Sequence, residues 1–214
     1  MTTTTKPKRT RRSAADRRAE IILAAKSRFA VAGFEGTTTR QIAEDMGVAQ
    51  SLLLYHFENK GDLWKAVMTQ IFEHASLVVK EEFEAADGPD PKPQLMAAIR
   101  AFIRMCLEEP DLHRLMTMEG RAHSDRLDWL AETYLRPLHD TSVRLIAECQ
   151  ERGQVDPGDP TLLYYTILGI AGTVFSFTPE IGLLSPSSVP PDPNAVEERV
   201  CAAVFSQNEF KGEG

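Results

Sequence analysis

Several kinds of protein are excluded by what this chain has little of. It has three cysteines, Cys106, Cys149 and Cys201, odd in number and far apart. No two of them have metal or redox spacing, so they are expected as reduced, mostly buried thiols in a cytoplasmic protein. His113, His123 and His139 lack HxH or HxxxH spacing, so no metal site is expected, and His74 falls on an apolar face as a satisfied core histidine. Runs of alternating Val, Ile and Thr are scarce, which argues against sheet. The basic N-terminus has no apolar stretch behind it and does not read as a signal peptide. The longest apolar run, Leu162 to Phe177, is interrupted by Tyr164, Tyr165, Thr166, Thr173 and Ser176 and bounded by Pro160 and Pro179. A buried helix fits it better than a membrane span. GxSxG, a glycine-rich phosphate loop, HExxH and a Cys-His pairing are all missing, so neither an enzyme nor a bound cofactor is expected.

What is present is helical. Ala, Leu, Glu and Arg recur at helical spacing through 214 residues, enough for a small headpiece joined to a larger domain. The net charge of −7 is unevenly spread. Residues 1–60 carry eleven Lys and Arg against six Asp and Glu, a balance of +5, and the rest carry thirteen against 25, a balance of −12. An acidic protein with a basic end can present that end to a polyanion.

Residues 1–12 are Thr-rich and basic without apolar periodicity and are expected to be a disordered arm when free. From Ser13, Ile22, Ala25 and Phe29, flanked by Ile21 and Ala32, form an apolar stripe that ends at Gly33. Thr38 and Gln41 have capping-box spacing and open a short helix with Ile42, Ala43 and Met46 inward. Gly47 supplies the positive φ of a tight turn. A second short helix, about Gln50 to Phe57, turns Leu53 and Phe57 to the core. Asn59 and Asp62 open a long helix to about Ala86, on which Leu63, Val67 and Ile71 share a face and the charge run Lys80 to Glu84 is a solvated one. Further helices are expected near 93–108, 111–122, 125–152, 160–178 and 194–208, about nine in all, with residues 185–193 a flexible connection.

Two short helices joined at Gly47, with the small Ala43 where they cross and Ile42, Met46, Val48 and Leu53 in the wedge, make a helix-turn-helix. That geometry pushes the N-terminal residues of the second helix toward a major groove. The surrounding run, residues 21–67, resembles the DNA-binding domain of the TetR family of transcriptional regulators. The likeness rests on Ala24-Ala25, Phe29, Gly33-Phe34, Thr37-Thr38, Ile42-Ala43, Gly47-Val48, Tyr55-His56-Phe57 and Lys60.

The resemblance implies an all-α protein: a helix-turn-helix domain over 13–67 with its motif at about 38–57, a helical ligand-binding and dimerisation domain over 68–208, and a flexible tail over 209–214. It also implies roles. Gln50 and Ser51 approach base edges, where a Gln amide can pair bidentately with adenine. Tyr55, His56 and Lys60 contact phosphates, and Thr38, Thr39 and Arg40 hold the opposite backbone wall. Arg9, Arg11 and Arg12 add minor-groove or phosphate contacts. Three positions depart from the family pattern. Ala49 stands where a capping Ser is usual, a loss of about 1 kcal/mol. Leu52 either meets a thymine methyl or packs, and Leu54 occupies a place often held by a phosphate-contacting Tyr.

In that family the larger domain encloses a small-molecule pocket, for which Phe102, Met105, Met116, Glu119, His123, Trp129 and Phe175 are the candidates. Each has a plainer reading, as ordinary core or as a solvated helix end. The last two helices look like a dimerisation pair: Leu162, Tyr165, Gly169 and Gly172 on one, Val196, Val200 and Val204 on the other, forming a four-helix bundle across a two-fold axis. The expected partners are a palindromic DNA operator, a small apolar or aromatic effector and a second copy of the chain, with no membrane. The expected action is repression relieved by the effector. A regulator that needs no ligand, or an activator, fits the same residues.

Overall fold

The computed structural model describes residues 13–86 and 88–205. Among these there is no strand, only an isolated antiparallel bridge between Val155 and Phe205. They fall into two compact units divided in sequence between Val67 and Met68. The arm with Arg9, Arg11 and Arg12, and the tail beyond Phe205, lie outside the described residues.

The first unit contains α1 (Ala14–Ala32), α2 (Thr39–Asp45), α3 (Gln50–His56) and the opening turns of α4 (Lys60–Glu84). Its helix ends are fixed by local chemistry. Ser13 with Asp16 and Thr38 with Gln41 form reciprocal capping boxes. Asn59 Oδ1 accepts from the Asp62 amide at 2.9 Å and caps α4. Gly33 and Gly47 end α1 and α2 at φ 69° and 64°. At Gly47 the Val48 amide donates to the Ala43 carbonyl and the Gly47 amide to that of Glu44, the paired closure of a left-handed helix end. Ile21, Ile22, Ala25 and Phe29 from α1, Ile42 and Ala43 from α2, Leu53 from α3 and Leu63, Trp64 and Val67 from α4 are buried. Ala32 is exposed, because α1 has turned its last residues away before Gly33.

The second unit takes the rest of α4, then α5 (Pro91–Glu108), α6 (Pro110–Glu119), α7 (Asp125–Leu130), a π-helical turn (Ala131–Leu135), α8 (Arg136–Glu151), α9 (Pro160–Ser176), α10 (Thr178–Leu184), a 3-10 turn (Pro186–Ser188) and α11 (Pro193–Val204). Three of these helices begin at an Asp-Pro pair. Asp90, Asp159 and Asp192 accept from the backbone amides of Lys92, Thr161 and Asn194, while the proline sits in the first turn, where its missing N–H is no loss. Helices α5, α8, α9 and α11 share a core of Leu95, Ile99, Ile103, Leu145, Ile146, Ile167, Ala171 and Phe175, with Val196, Val200 and Val204 from α11.

Several expectations change here. The single helix over 125–152 contains the π turn. Helix α10 forms where none was expected, since Pro179 stands in its first turn and begins it. Part of the connection 185–193 is a 3-10 turn. Val196, Val200 and Val204 face the protomer's own core and are withdrawn from the dimer surface. Gly172 is withdrawn too: it is buried, and a Cβ there would lie 2.3 Å from His113 Nε2, so its smallness admits a histidine of α6. His74 is no core residue; its Nε2 pairs with Glu108 at 2.8 Å and the ring is partly exposed. In the charge run after it, Glu81 and Glu82 reach across to Arg104 and Arg100 of α5.

Among the described residues no single helix is long and apolar enough to cross a membrane. Cys106 and Cys149 are buried, and burial pushes their thiols up to about 12 and about 11, out of the reactive range.

Candidate nucleic-acid interface

Helix α3 has one buried side chain, Leu53, which docks it on the first unit. Gln50, Ser51, Leu54 and Tyr55 are exposed, Tyr55 at 80%, and Leu52 and His56 are half-buried. Most of a large aromatic ring therefore stands in solvent beside His56, whose imidazole meets it edge-on at 5.1 Å. Ala49 provides no side-chain cap, so the amides that open α3 are not closed off by their own chain's side chains.

Helices α2 and α3 are tied by polar contacts as well as by the wedge. Gln50 Nε2 donates to Thr39 Oγ1 at 3.0 Å. This uses one amide hydrogen and leaves the carbonyl oxygen and the second hydrogen, the pair that bidentate base recognition needs. The Thr38 hydroxyl accepts from the Gln41 amide and donates to Gln41 Oε1. Its structural work is the cap. Arg40 is exposed on α2 and pairs with Glu44 at 2.9 Å, while Arg28 of α1 pairs with Asp45 at 3.2 Å. Arg18 lies over the Phe57 ring at 4.9 Å, joining α1 to the end of α3.

Lys60 departs from expectation. Its ammonium donates to the carbonyls of Phe34 (2.8 Å) and Thr37 (2.9 Å) and sits 4.1 Å above the Phe34 ring. Thr37 is fully buried and donates its hydroxyl to the Gly33 carbonyl at 2.8 Å. Trp64 and Phe34, in edge contact at 6.3 Å, complete the floor under this turn. The TTT run gives no sign that its first residue is interior and its second a cap; only the turn after Gly33 decides that.

Residues 13–67 hold seven Lys and Arg and seven Asp and Glu. The +5 of the first sixty residues is matched by the five basic residues of the 1–12 segment.

The expected effector residues of the second unit are not one constellation. Phe102 and Phe175 pack within the α5–α8–α9–α11 core, and Met105 is buried. Met116 is half-buried on α6. Glu119, only 7% exposed, holds Arg126 through both carboxylate oxygens at 3.1 and 3.3 Å, joining α6 to α7. Trp129 meets Tyr134 edge-on, and Tyr134 stacks on Phe72 at 4.6 Å and donates to Thr69 Oγ1 at 3.1 Å. The π turn sets Tyr134 in this place. His123 is exposed, because Ser124 caps α7 from an extended backbone and leaves its neighbour outside both helices; it is withdrawn from the pocket. A shallow depression of about 130 Å³ lies elsewhere, lined by Arg100, Arg104, Leu107, Asn194 and Glu197, and none of the expected residues lines it. His113, which sequence reasoning considered only as a metal ligand, bonds Ser176 of α9 at 2.6 Å.

On α9, Leu162 (67%) and Tyr165 (61%) are exposed, and Gly169 is exposed on the same helix. Phe177, Leu183 and Leu184 continue the apolar surface onto α10. From Pro160 to Leu184 the only charged residue is Glu180.

Comparison with known proteins agrees with this architecture. Residues 21–67 match the family described as bacterial regulatory proteins, tetR family, and residues 89–180 match a tetracyclin repressor-like C-terminal domain. The chain is 34% identical over 178 residues to the HTH-type transcriptional regulator RutR of Escherichia coli K12, covering 81% of this chain and 80% of that one. Its fold is similar to the ketosteroid transcriptional regulator KstR2 of Mycobacterium tuberculosis (TM-score 0.71, 17% identity, 91% and 98% of the two chains). It is also similar to AibR, solved in complex with isovaleryl coenzyme A and operator DNA (TM-score 0.72, 18% identity, 88% and 98%).

Proposed function

The chain belongs to the tetR family of DNA-binding transcriptional regulators, and from that premise we propose that it is a homodimeric repressor released from a palindromic operator by a small apolar or aromatic effector. The observation that carries the reading is the exposed face of α3. Gln50, Ser51 and Tyr55 stand in solvent on a helix whose position is fixed by the Gly47 turn and by the Thr39–Gln50 bond.

On this reading Gln50 and Ser51 meet base edges, and Tyr55, His56, Thr39 and Arg40 meet phosphates. Residues 13–67 are electrically balanced, so much of the counterion release comes from the basic residues of the 1–12 segment, Arg11 and Arg12 among them. The uncharged, apolar surface of α9 is the dimer face: Leu162, Tyr165 and Gly169 pair with the same residues of a second copy. Two headpieces on one dimer then read two half-sites.

The effector enters the second unit between α5 and α9, where Phe102 and Phe175 border the same core, and favours a state whose headpieces no longer match successive grooves. An about 100-fold release requires about 2.7 kcal/mol of coupling.

Selection from a random duplex library at two salt concentrations tests this. A palindromic consensus bound more weakly at high salt is expected, with Tyr55→Phe weakening every sequence alike. Folded protein that enriches no sequence contradicts operator binding, and a consensus without two-fold symmetry contradicts the dimer.

A further inference from the structure

We propose that Lys60 is a positioning residue for the DNA-reading surface, acting as a brace between the start of α4 and the start of α2 and making no phosphate contact of its own. The inference rests on the DNA-binding reading above. The ammonium carries three donors, and two are engaged by the Phe34 and Thr37 carbonyls at 2.8 and 2.9 Å. Its charge faces the Phe34 ring at 4.1 Å, an arrangement that favours a cation in a partly covered site. The first of those carbonyls follows the α1 end at Gly33; the second belongs to the residue before the α2 cap, Thr38.

Consequences follow from that placement. Thr37 is fully buried and is held three ways: its hydroxyl on the Gly33 carbonyl, its amide on the Phe34 carbonyl and its own carbonyl on Lys60. With Thr37 fixed, Thr38 caps α2, and Thr39 in the first turn of α2 holds the Gln50 amide of α3. One chain of bonds thus runs from the first residue of α4 through the α1–α2 turn to the first residue of α3. Removing the ammonium frees the Thr37 carbonyl and loosens the start of α2, while the side chains that meet DNA keep their chemistry.

A phosphate contact and a brace differ in their salt dependence. Losing a lysine from a phosphate lowers the slope of log affinity against log salt by about one. Losing a brace weakens binding and leaves the slope where it was. For Lys60→Met, titrated by fluorescence anisotropy against the selected duplex over a range of salt, an about tenfold loss of affinity with an unchanged slope is expected. Phe34→Leu, which removes the ring and keeps the charge, is expected to weaken binding in the same manner, and it serves if Lys60→Met does not fold. A double-mutant cycle adds a readout that stability alone would not move. If Lys60 acts through α2, the effect of Arg40→Ala on affinity shrinks in the Lys60→Met background; additive effects overturn the proposal. So does a slope lowered by one in Lys60→Met, which makes Lys60 a phosphate ligand, and so does unchanged affinity in either variant. Failure of the wild-type protein to bind any duplex contradicts the DNA-binding reading itself.

Discussion

The two units are held together by different means. In residues 13–67 the two seven-residue helices α2 and α3 are placed by polar side chains: Thr38 caps α2 with Gln41, Gln50 of α3 holds the Thr39 hydroxyl, and Lys60 holds the Phe34 and Thr37 carbonyls. In the second unit α5, α8, α9 and α11, of 12 to 18 residues, share an apolar core, and polar pairs such as His113 with Ser176 and Glu119 with Arg126 only add to it. Short helices have too little apolar face to set their own angles, so capping and turn chemistry sets them. The difference suits a small surface that presents a few side chains in fixed order.

The two units should part most visibly at Trp64, fully buried in the smaller one. Trp64→Ala removes about 3–5 kcal/mol, comparable to the whole stability of so small a unit. Thermal melting followed by circular dichroism should then show the first unit's helices lost early, DNA binding abolished and most helical signal retained.

A pair of glycine substitutions should act on the two units by different means. At Gly172 of α9 an added Cβ meets His113 Nε2 at 2.3 Å, whereas at Gly47 it meets nothing within 4 Å and the obstacle is a φ of 64°. Gly172→Ala should therefore destabilise the second unit by overpacking, about 1–3 kcal/mol, with the operator consensus unchanged. Gly47→Ala should cost about 1–2 kcal/mol through backbone strain and weaken operator binding more than its effect on stability explains. Denaturant titrations paired with DNA titrations separate the two.

Smaller still is Ala49→Ser. It supplies the cap that α3 lacks, and about 1 kcal/mol of added stability is expected from the denaturation midpoint. The smallest effect is of pH. Burial holds the His113 imidazole below its ordinary 6.5. The unfolded chain then takes up the proton first, so stability is full above pH 6.5 and falls as pH drops through 6.5 toward the lowered folded value. His113→Gln should flatten that part of the stability profile.

Legibility followed the sequence distance between partners. Gly33, Gly47, the Thr38–Gln41 box and the Asn59 cap act within a few residues, and the sequence displays them directly. The faces of α9 and α11 could not be read, since Val196 and Leu162 carry the same apolar signal and only the packing of four helices puts one inside and leaves the other bare. The π turn that places Tyr134, and the brace at Lys60, depend on partners far along the chain.

The claim that α3 reads the operator is tested most directly by repeating the duplex selection with Gln50→Ala beside the wild-type protein. The account predicts the same half-site spacing with a changed preference at one base position in each half. An identical consensus from the two proteins would contradict it and move recognition away from the first residue of α3.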